Sequence, residues 1–191
     1  MGAFDHVLVL LSFVYALALT HLLSRVGALA LARDRVRYSG LLVICAINAI
    51  LFVFANWLSL WDLRGMHGWD LFSVVSQFLF AIAIYFVCAF AAPEAAGDTA
   101  IDMEAFYWRN HRLYYAAVMV CLLLSLIINA EFLKTPNAAL FLEENAMVLP
   151  MIVFGVLPLV VRAHWAHWVA GLGLLGLLAG FTIEFSSTLT S

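Results

Sequence analysis

The chain has 191 residues, of which 66% are apolar and only 11% are charged, and its formal net charge is −3 at pH 7. This composition excludes an ordinary soluble domain, and it lacks the basic surface that nucleic-acid binding requires. The polar segments of the sequence are too short to build a separate soluble domain. We therefore predict a single integral membrane domain that covers residues 1–191.

Six apolar runs follow one another along the chain. They cover residues 7–31, 39–61, 71–92, 113–130, 146–161 and 169–185. Each run, with its flanks, approaches the roughly 20 residues that an α-helix needs to cross the hydrocarbon core of a bilayer. The sequence thus predicts an all-α fold, a polytopic bundle of six transmembrane helices.

The arginines indicate how these helices are oriented, because lysine and arginine in short loops are retained on the cytoplasmic side. Alternate connections contain Arg33, Arg35, Arg37, Arg109, Arg112 and Arg162, whereas Arg64 and Lys134 occupy the others. The tryptophans divide in the same way, with Trp57, Trp61 and Trp69 near the predicted outer surface and Trp108, Trp165 and Trp168 near the inner one. We predict that both termini face outward.

The connection before the fourth run resembles a helix start. Thr99 with Asp102 three residues later is typical of a capping box, and Met103, Phe106 and Tyr107 supply an apolar edge at helical spacing. This pattern predicts a short amphipathic helix in the inner interface that leads into the fourth transmembrane helix. The expected role of this amphipathic helix is to anchor the fourth transmembrane helix, in preference to docking a soluble partner.

The fifth helix is expected to begin before its apolar run. Thr135 and Pro136 resemble an N-cap and a first-turn proline, and this start would bring Glu143 and Glu144 into the outer leaflet. The helix would then bend at its two prolines, Pro150 and Pro158. Bent helices line substrate sites in transporters, but prolines are also ordinary in transmembrane helices, and the ordinary interpretation is favoured.

Polar side chains in the apolar runs mark the faces that point into the bundle, because an unpaired polar group in lipid costs several kcal/mol. The candidates for binding or for a pathway are His21, Arg25, Asn48, Asn56, Gln77, Asn129, Glu143 and Glu144. The amides are as well explained by hydrogen bonds between helices, and Arg25 by contact with the inner headgroups. His21 lies deeper, and its imidazole titrates near neutral pH.

No pattern in the sequence indicates a catalytic residue, a metal site or a cofactor. His164 and His167 share one helical face but lack an acidic or cysteine neighbour, and His21 lacks the partner that haem ligation in a bundle would require. We therefore expect a protein that is not an enzyme.

Three glycines, Gly173, Gly176 and Gly180, form a stripe on the last helix. Small residues at this spacing allow another backbone to approach closely. The expected partner is a neighbouring helix of the same chain, with a second copy of the chain as the alternative.

These observations predict an accessory, scaffold or binding subunit of a membrane, with a small ion or solute channel or transporter around His21 as the alternative and an intramembrane enzyme as a distant third. The expected partners are the lipid bilayer, other membrane proteins or a second copy of the chain. Arginine greatly outnumbers lysine, and alanine and leucine abound, which favours a bacterial gene and therefore the inner membrane.

The predicted topology can be tested with reporter fusions in the connecting loops. Reporters beside Arg35, Arg109 and Arg162 should show a cytoplasmic location, and those beside Arg64 and Lys134 an external one. One loop that reports the wrong side would overturn the predicted orientation.

Overall fold

The computed structural model describes residues 3–65, 69–95, 97, 99–133 and 137–188. They form helices α1 (Ala3–Leu31), α2 (Gly40–Ser59), α3 (Leu71–Phe90), α4 (Met103–Leu133), α5 (Ala138–Glu144), α6 (Val148–Val160) and α7 (His164–Thr188). They also form two short strands, β1 (Val36–Arg37) and β2 (Ile101–Asp102), which pair in parallel. The predicted all-helical class is confirmed.

Five of the described helices, α1, α2, α3, α4 and α7, are long and apolar enough to cross a membrane. Helices α5 and α6 meet this criterion only together, and they are bent by 71° at the break between them. The bundle therefore has five such helices, or six if the bent pair counts as one span. This architecture fits a multi-pass membrane protein.

The core of the bundle combines small and aromatic side chains. Helix α3 packs against α1 and α4, α2 packs against α7, and α6 lies against both α4 and α7. Ala18, Ala49 and Ala81 are fully buried, so the helix backbones approach closely at these positions. Large apolar residues such as Phe13 and Val153 point outward, where lipid would surround them.

The amphipathic helix predicted before the fourth span is wrong as a separate element, because α4 is continuous from Met103 to Leu133. That segment contains no glycine or proline, and extending a helix costs less than starting a new one. The capping residue is Asp102, whose Oδ1 accepts a hydrogen bond from the Ala105 amide at 2.9 Å. Thr99, the predicted cap, lies outside the helix.

The predicted course of the fifth span also requires correction. Thr135 and Pro136 lie outside the described residues, and α5 begins at Ala138 with Asn137 as its N-cap. The chain bends at residues 145–147 and not at its prolines. Pro150 occupies the first turn of α6, where a missing amide hydrogen costs nothing, and Pro158 lies near the end of α6 without breaking it.

The connections that carry the arginines meet at one end of the bundle, which we call the arginine end. It comprises residues 32–39, 91–95, 97, 99–102 and 161–163. Arg37 forms an ion pair with Asp102 at 3.2 Å, and Arg35 donates a hydrogen bond to the Gly97 carbonyl. The Ala105 amide and the Arg37 guanidinium hold the pKa of Asp102 below its usual range. Arg25 donates to the carbonyls of Ala89 and Ala92 at the end of α3.

The glycines of α7 differ in their surroundings. A Cβ added at Gly173 would lie 2.6 Å from the Phe154 ring, whereas one added at Gly176 or Gly180 would meet none of the described residues within 4 Å. Gly171 also lies close to α2, where an added Cβ would lie 2.9 Å from Cγ2 of Ile44. Of the predicted glycine stripe, Gly173 thus packs closely against Phe154, and Gly176 and Gly180 have room for a side chain among the described residues.

Replacing Gly171 by leucine should destabilise the protein, because the β-branched Ile44 cannot move its Cγ2 away by rotating a flexible chain. Overpacking of this kind costs about 1–3 kcal/mol. Thermal unfolding in mild detergent should show a clear loss of stability for Gly171→Leu and little change in stability for Gly176→Leu. Equal losses at the two positions would contradict the packing described here.

Candidate functional site

A cavity of about 660 Å³ opens among the described residues at the end of the bundle opposite the arginine end. It lies between the C-terminal parts of α2, α4 and α7, the N-terminal half of α3 and the α5–α6 break. Pockets for small molecules and cofactors measure about 300–1,000 Å³, so a cavity of this size is too large to be an ordinary packing defect. We call it the acidic-end cavity.

Most of the cavity wall is apolar. The apolar side chains include Phe52, Phe80, Leu122, Met151, Leu178 and Phe181. The uncharged polar ones are Tyr15, Asn56, Ser59, Gln77, Ser125 and Asn129, and three carboxylates also line it: Glu143, Glu144 and Glu184. Apolar walls with a few polar groups are typical of sites that bind a small molecule.

Helical periodicity explains why these side chains converge. Cys121, Ser125 and Asn129 lie four residues apart on α4, so one stripe of that helix faces the cavity. Leu178, Phe181 and Phe185 form the matching stripe on α7. The cavity thus extends over nine residues of α4, from Cys121 to Asn129, which corresponds to a depth of about 12 Å.

A hydrogen bond between two amides fixes the wall formed by the α5–α6 break. Nδ2 of Asn129 donates to Oδ1 of Asn145 at 2.7 Å, and Asn145 is fully buried. Nδ2 of Asn145 in turn donates to the Phe141 carbonyl at 2.9 Å, which ends α5. This arrangement positions Glu143 and Glu144 at the cavity.

Tyr15 is a buried residue of the cavity wall. Its side chain is 3% exposed, and its hydroxyl has no hydrogen-bond partner among the described residues. Buried tyrosine hydroxyls usually have a partner. Sequence reasoning missed this residue, since a tyrosine in an apolar helix is typical of packing. It also missed Glu184, although a carboxylate within an apolar run was an available signal.

The structure brings together five of the eight predicted polar candidates, because Asn56, Gln77, Asn129, Glu143 and Glu144 all line the acidic-end cavity. The other three do not line it, and each has a different environment.

His21, Arg25 and Asn48 serve elsewhere in the bundle. The His21 ring lies 5.6 Å from the Tyr85 ring, and its Nε2 is buried without a hydrogen-bond partner among the described residues. Arg25 binds the end of α3, as described above. Nδ2 of Asn48 donates to the Gly171 carbonyl at 2.9 Å and so joins α2 to α7.

A second polar cluster lies near the arginine end, around Glu104. Ser39 donates to Oε2 of Glu104 at 2.5 Å, and the Trp108 indole donates to Oε1 at 2.7 Å. His164 Nε2 lies 3.8 Å from the same carboxylate. These contacts join the starts of α2, α4 and α7.

Next to this cluster, further along α4 and α7, several aromatic side chains pack together in the bundle. The Tyr107 hydroxyl lies 2.6 Å from Nδ1 of His167, and the rings of His111 and His167 are 5.1 Å apart. Tyr114 and Tyr115 are also buried. In the part of the chain that the structure describes, no group of three or more histidine, cysteine, aspartate or glutamate side chains could hold a metal ion.

Comparisons with known proteins do not extend this description. No protein-family model matches the sequence, and no curated protein and no solved structure matches it. Function must therefore be inferred from the cavity.

The cavity should be accessible to water from the acidic end. A cysteine at position 125 faces the cavity, whereas one at position 76 would be buried between helices, because Ser76 is 5% exposed and does not line the cavity. A membrane-impermeant thiol reagent should modify Ser125→Cys much faster than Ser76→Cys. Both variants should be made with Cys121→Ala, because Cys121 lines the cavity, whereas Cys45 and Cys88 are buried elsewhere and should give a low background. Equal modification rates for the two variants would contradict an open cavity.

Proposed function

We propose that this protein is a non-enzymatic binding subunit of a membrane, and that it holds a small amphipathic molecule in the acidic-end cavity. The observation that carries the proposal is the cavity itself, about 660 Å³ in volume, with apolar walls and convergent polar side chains. Its amides, hydroxyls and carboxylates are groups that orient a ligand through hydrogen bonds and charge.

The hydrogen bonds of the polar side chains support binding over a purely structural role. Nδ2 of Asn56 donates to the Phe52 carbonyl and Ser59 donates to the Asn56 carbonyl, so both bonds remain within α2. Such bonds do not join helices. Asn48, by contrast, joins α2 to α7 away from the cavity. Asn56 therefore lines the cavity without joining helices, whereas Asn129 both lines the cavity and bonds to Asn145.

The proposed location is the bacterial inner membrane, with both termini facing outward. The alternation of arginine-bearing connections supports this orientation. The proposed partners are lipid and other membrane proteins or a second copy of the chain. Gly176 and Gly180 support a partner on α7, because in the part of the chain that the structure describes no neighbouring atom lies within 4 Å of an added Cβ.

Transport of an ion or small solute is the second candidate function. It is favoured by the carboxylates that line the cavity, since acidic side chains concentrate cations. Transport would require movement of the buried aromatic layer formed by Tyr107, Tyr114 and Tyr115, which lies between the cavity and the arginine end. His21, the centre of the pathway expected from the sequence, does not line the cavity.

Filling the cavity should release the bound molecule. We expect the protein purified in mild detergent to retain a small molecule that mass spectrometry detects, and Ser125→Trp to lose it, because the indole would occupy part of the cavity. Leu123→Trp is the matched control, since Leu123 is 50% exposed on another face of α4. Equal retention by the parent and both variants would contradict binding in the cavity.

A further inference from the structure

Gln77 differs from two other amides of the bundle. Nδ2 of Asn48 donates to the Gly171 carbonyl and Nδ2 of Asn129 donates to Asn145, so each of these amides joins two parts of the chain. The Gln77 side chain is 3% exposed, yet its amide forms no hydrogen bond with a described residue. A buried amide without a partner is unfavourable, because it has lost hydrogen bonds to water and gained none. A partner inside the cavity is therefore expected.

The Gln77 amide is open to the acidic-end cavity. Gln77 lines the cavity, and its amide atoms do not belong to the unpaired polar atoms that the protein encloses completely, such as the Tyr15 hydroxyl and Nε2 of His21. An occupant of the cavity can thus reach both the carbonyl oxygen and the NH₂ group. Because a primary amide offers an acceptor and a donor side by side, its best partner presents a donor and an acceptor in the complementary order.

The cavity is apolar at its inner limit and more polar toward the acidic end. On α3, Phe80 lies three residues further from the acidic end than Gln77, and on α4, Leu122 lies three residues further from it than Ser125. Three residues of a helix correspond to about 4.5 Å. The Ser125 hydroxyl, like the Gln77 amide, forms no hydrogen bond with a described residue. A ligand would therefore direct its hydrocarbon body inward and its polar group toward Gln77 and Ser125.

We propose that the ligand is a neutral single-chain amide whose carboxamide group pairs with the side-chain amide of Gln77. The carbonyl oxygen of the ligand accepts a hydrogen bond from Nε2 of Gln77, and the N–H of the ligand donates to Oε1. The hydrocarbon chain lies against Phe80 and Leu122. This inference deepens the proposed function and depends on it, because it names the class of molecule that the same cavity binds.

Other polar groups match the Gln77 amide less well. An ammonium group only donates and a carboxylate or ketone only accepts, so each would leave one function of the Gln77 amide unpaired. A charged group would also lose its hydration against the apolar wall. An alcohol can donate and accept, but only through one oxygen atom. An amide uses two separate atoms and remains neutral.

The experiment measures saturable binding of radiolabelled octanamide to the full chain in phosphatidylcholine nanodiscs, with empty nanodiscs as the background. Unlabelled octanamide, heptyl methyl ketone, octanol and octylamine serve as competitors. The ketone has the shape of octanamide with a methyl group in place of the NH₂ group, so the two molecules differ by one hydrogen-bond donor. We expect octanamide to compete best, and the ketone and octylamine to compete several-fold less well.

A matched pair of variants tests the contact with Gln77. Gln77→Leu removes the amide at nearly constant volume, and it should abolish the advantage of octanamide over the ketone. Ser76→Ala should preserve that advantage, because the neighbouring Ser76 does not line the cavity and its hydroxyl bonds to the Ser73 carbonyl within α3. Without ligand, Gln77→Leu should unfold at a temperature no lower than the parent protein, because the replaced amide has no partner among the described residues.

The outcomes separate the two levels of the proposal. Equal competition by octanamide and the ketone in the parent protein, or a retained molecule without an amide group, would overturn the amide inference but leave binding in the cavity intact. An advantage of octanamide that survives in Gln77→Leu, or a large loss of stability in that variant, would overturn the pairing with Gln77. No saturable binding of octanamide, together with no retained molecule in the parent protein, would overturn both levels.

Discussion

The hydrogen bond from Asn129 to Asn145 is the interaction on which the cavity depends. A carboxamide buried among apolar helices needs a hydrogen-bond partner. Here the Asn129 amide donates to the Asn145 carbonyl oxygen, so each side chain is the partner of the other. Asn145 also ends α5, so the same side chain that anchors the chain to α4 turns it through 71° before α6. Without that turn, a straight helix would occupy the space beside α4 and α7.

The two ends of the bundle differ in how their polar groups are satisfied. At the arginine end, the paired strands, the Arg37–Asp102 ion pair and the contacts of Glu104 join three connections to one another. At the acidic end, several polar side chains bond within their own helix or face the cavity. The first arrangement holds helices together, and the second presents hydrogen-bonding groups to an occupant.

The lengths of the apolar runs were enough to predict α1, α2, α3 and α7, because a helix that crosses a bilayer must be long enough to span its hydrocarbon core. The α5–α6 bend could not be predicted in this way, since it depends on Asn129, which is 16 residues away from Asn145. Five polar candidates line the cavity because polarity indicates the inward face, whereas Tyr15 gave no such signal. Glycine spacing indicated Gly173, which packs closely against Phe154, but it gave no signal for Gly171, whose contact depends on the position of α2.

Helix α4 contains 31 residues and is therefore about 46 Å long, well beyond the hydrocarbon thickness of a typical bilayer. A helix of that length must tilt or extend into the headgroups, and its tilt changes with the thickness of the membrane. Because Asn129 lies near one end of α4, a change in tilt would shift it relative to Asn145. Wherever the thickness of the bilayer changes that tilt, the part of the cavity wall that Asn129 and Asn145 form would change with it.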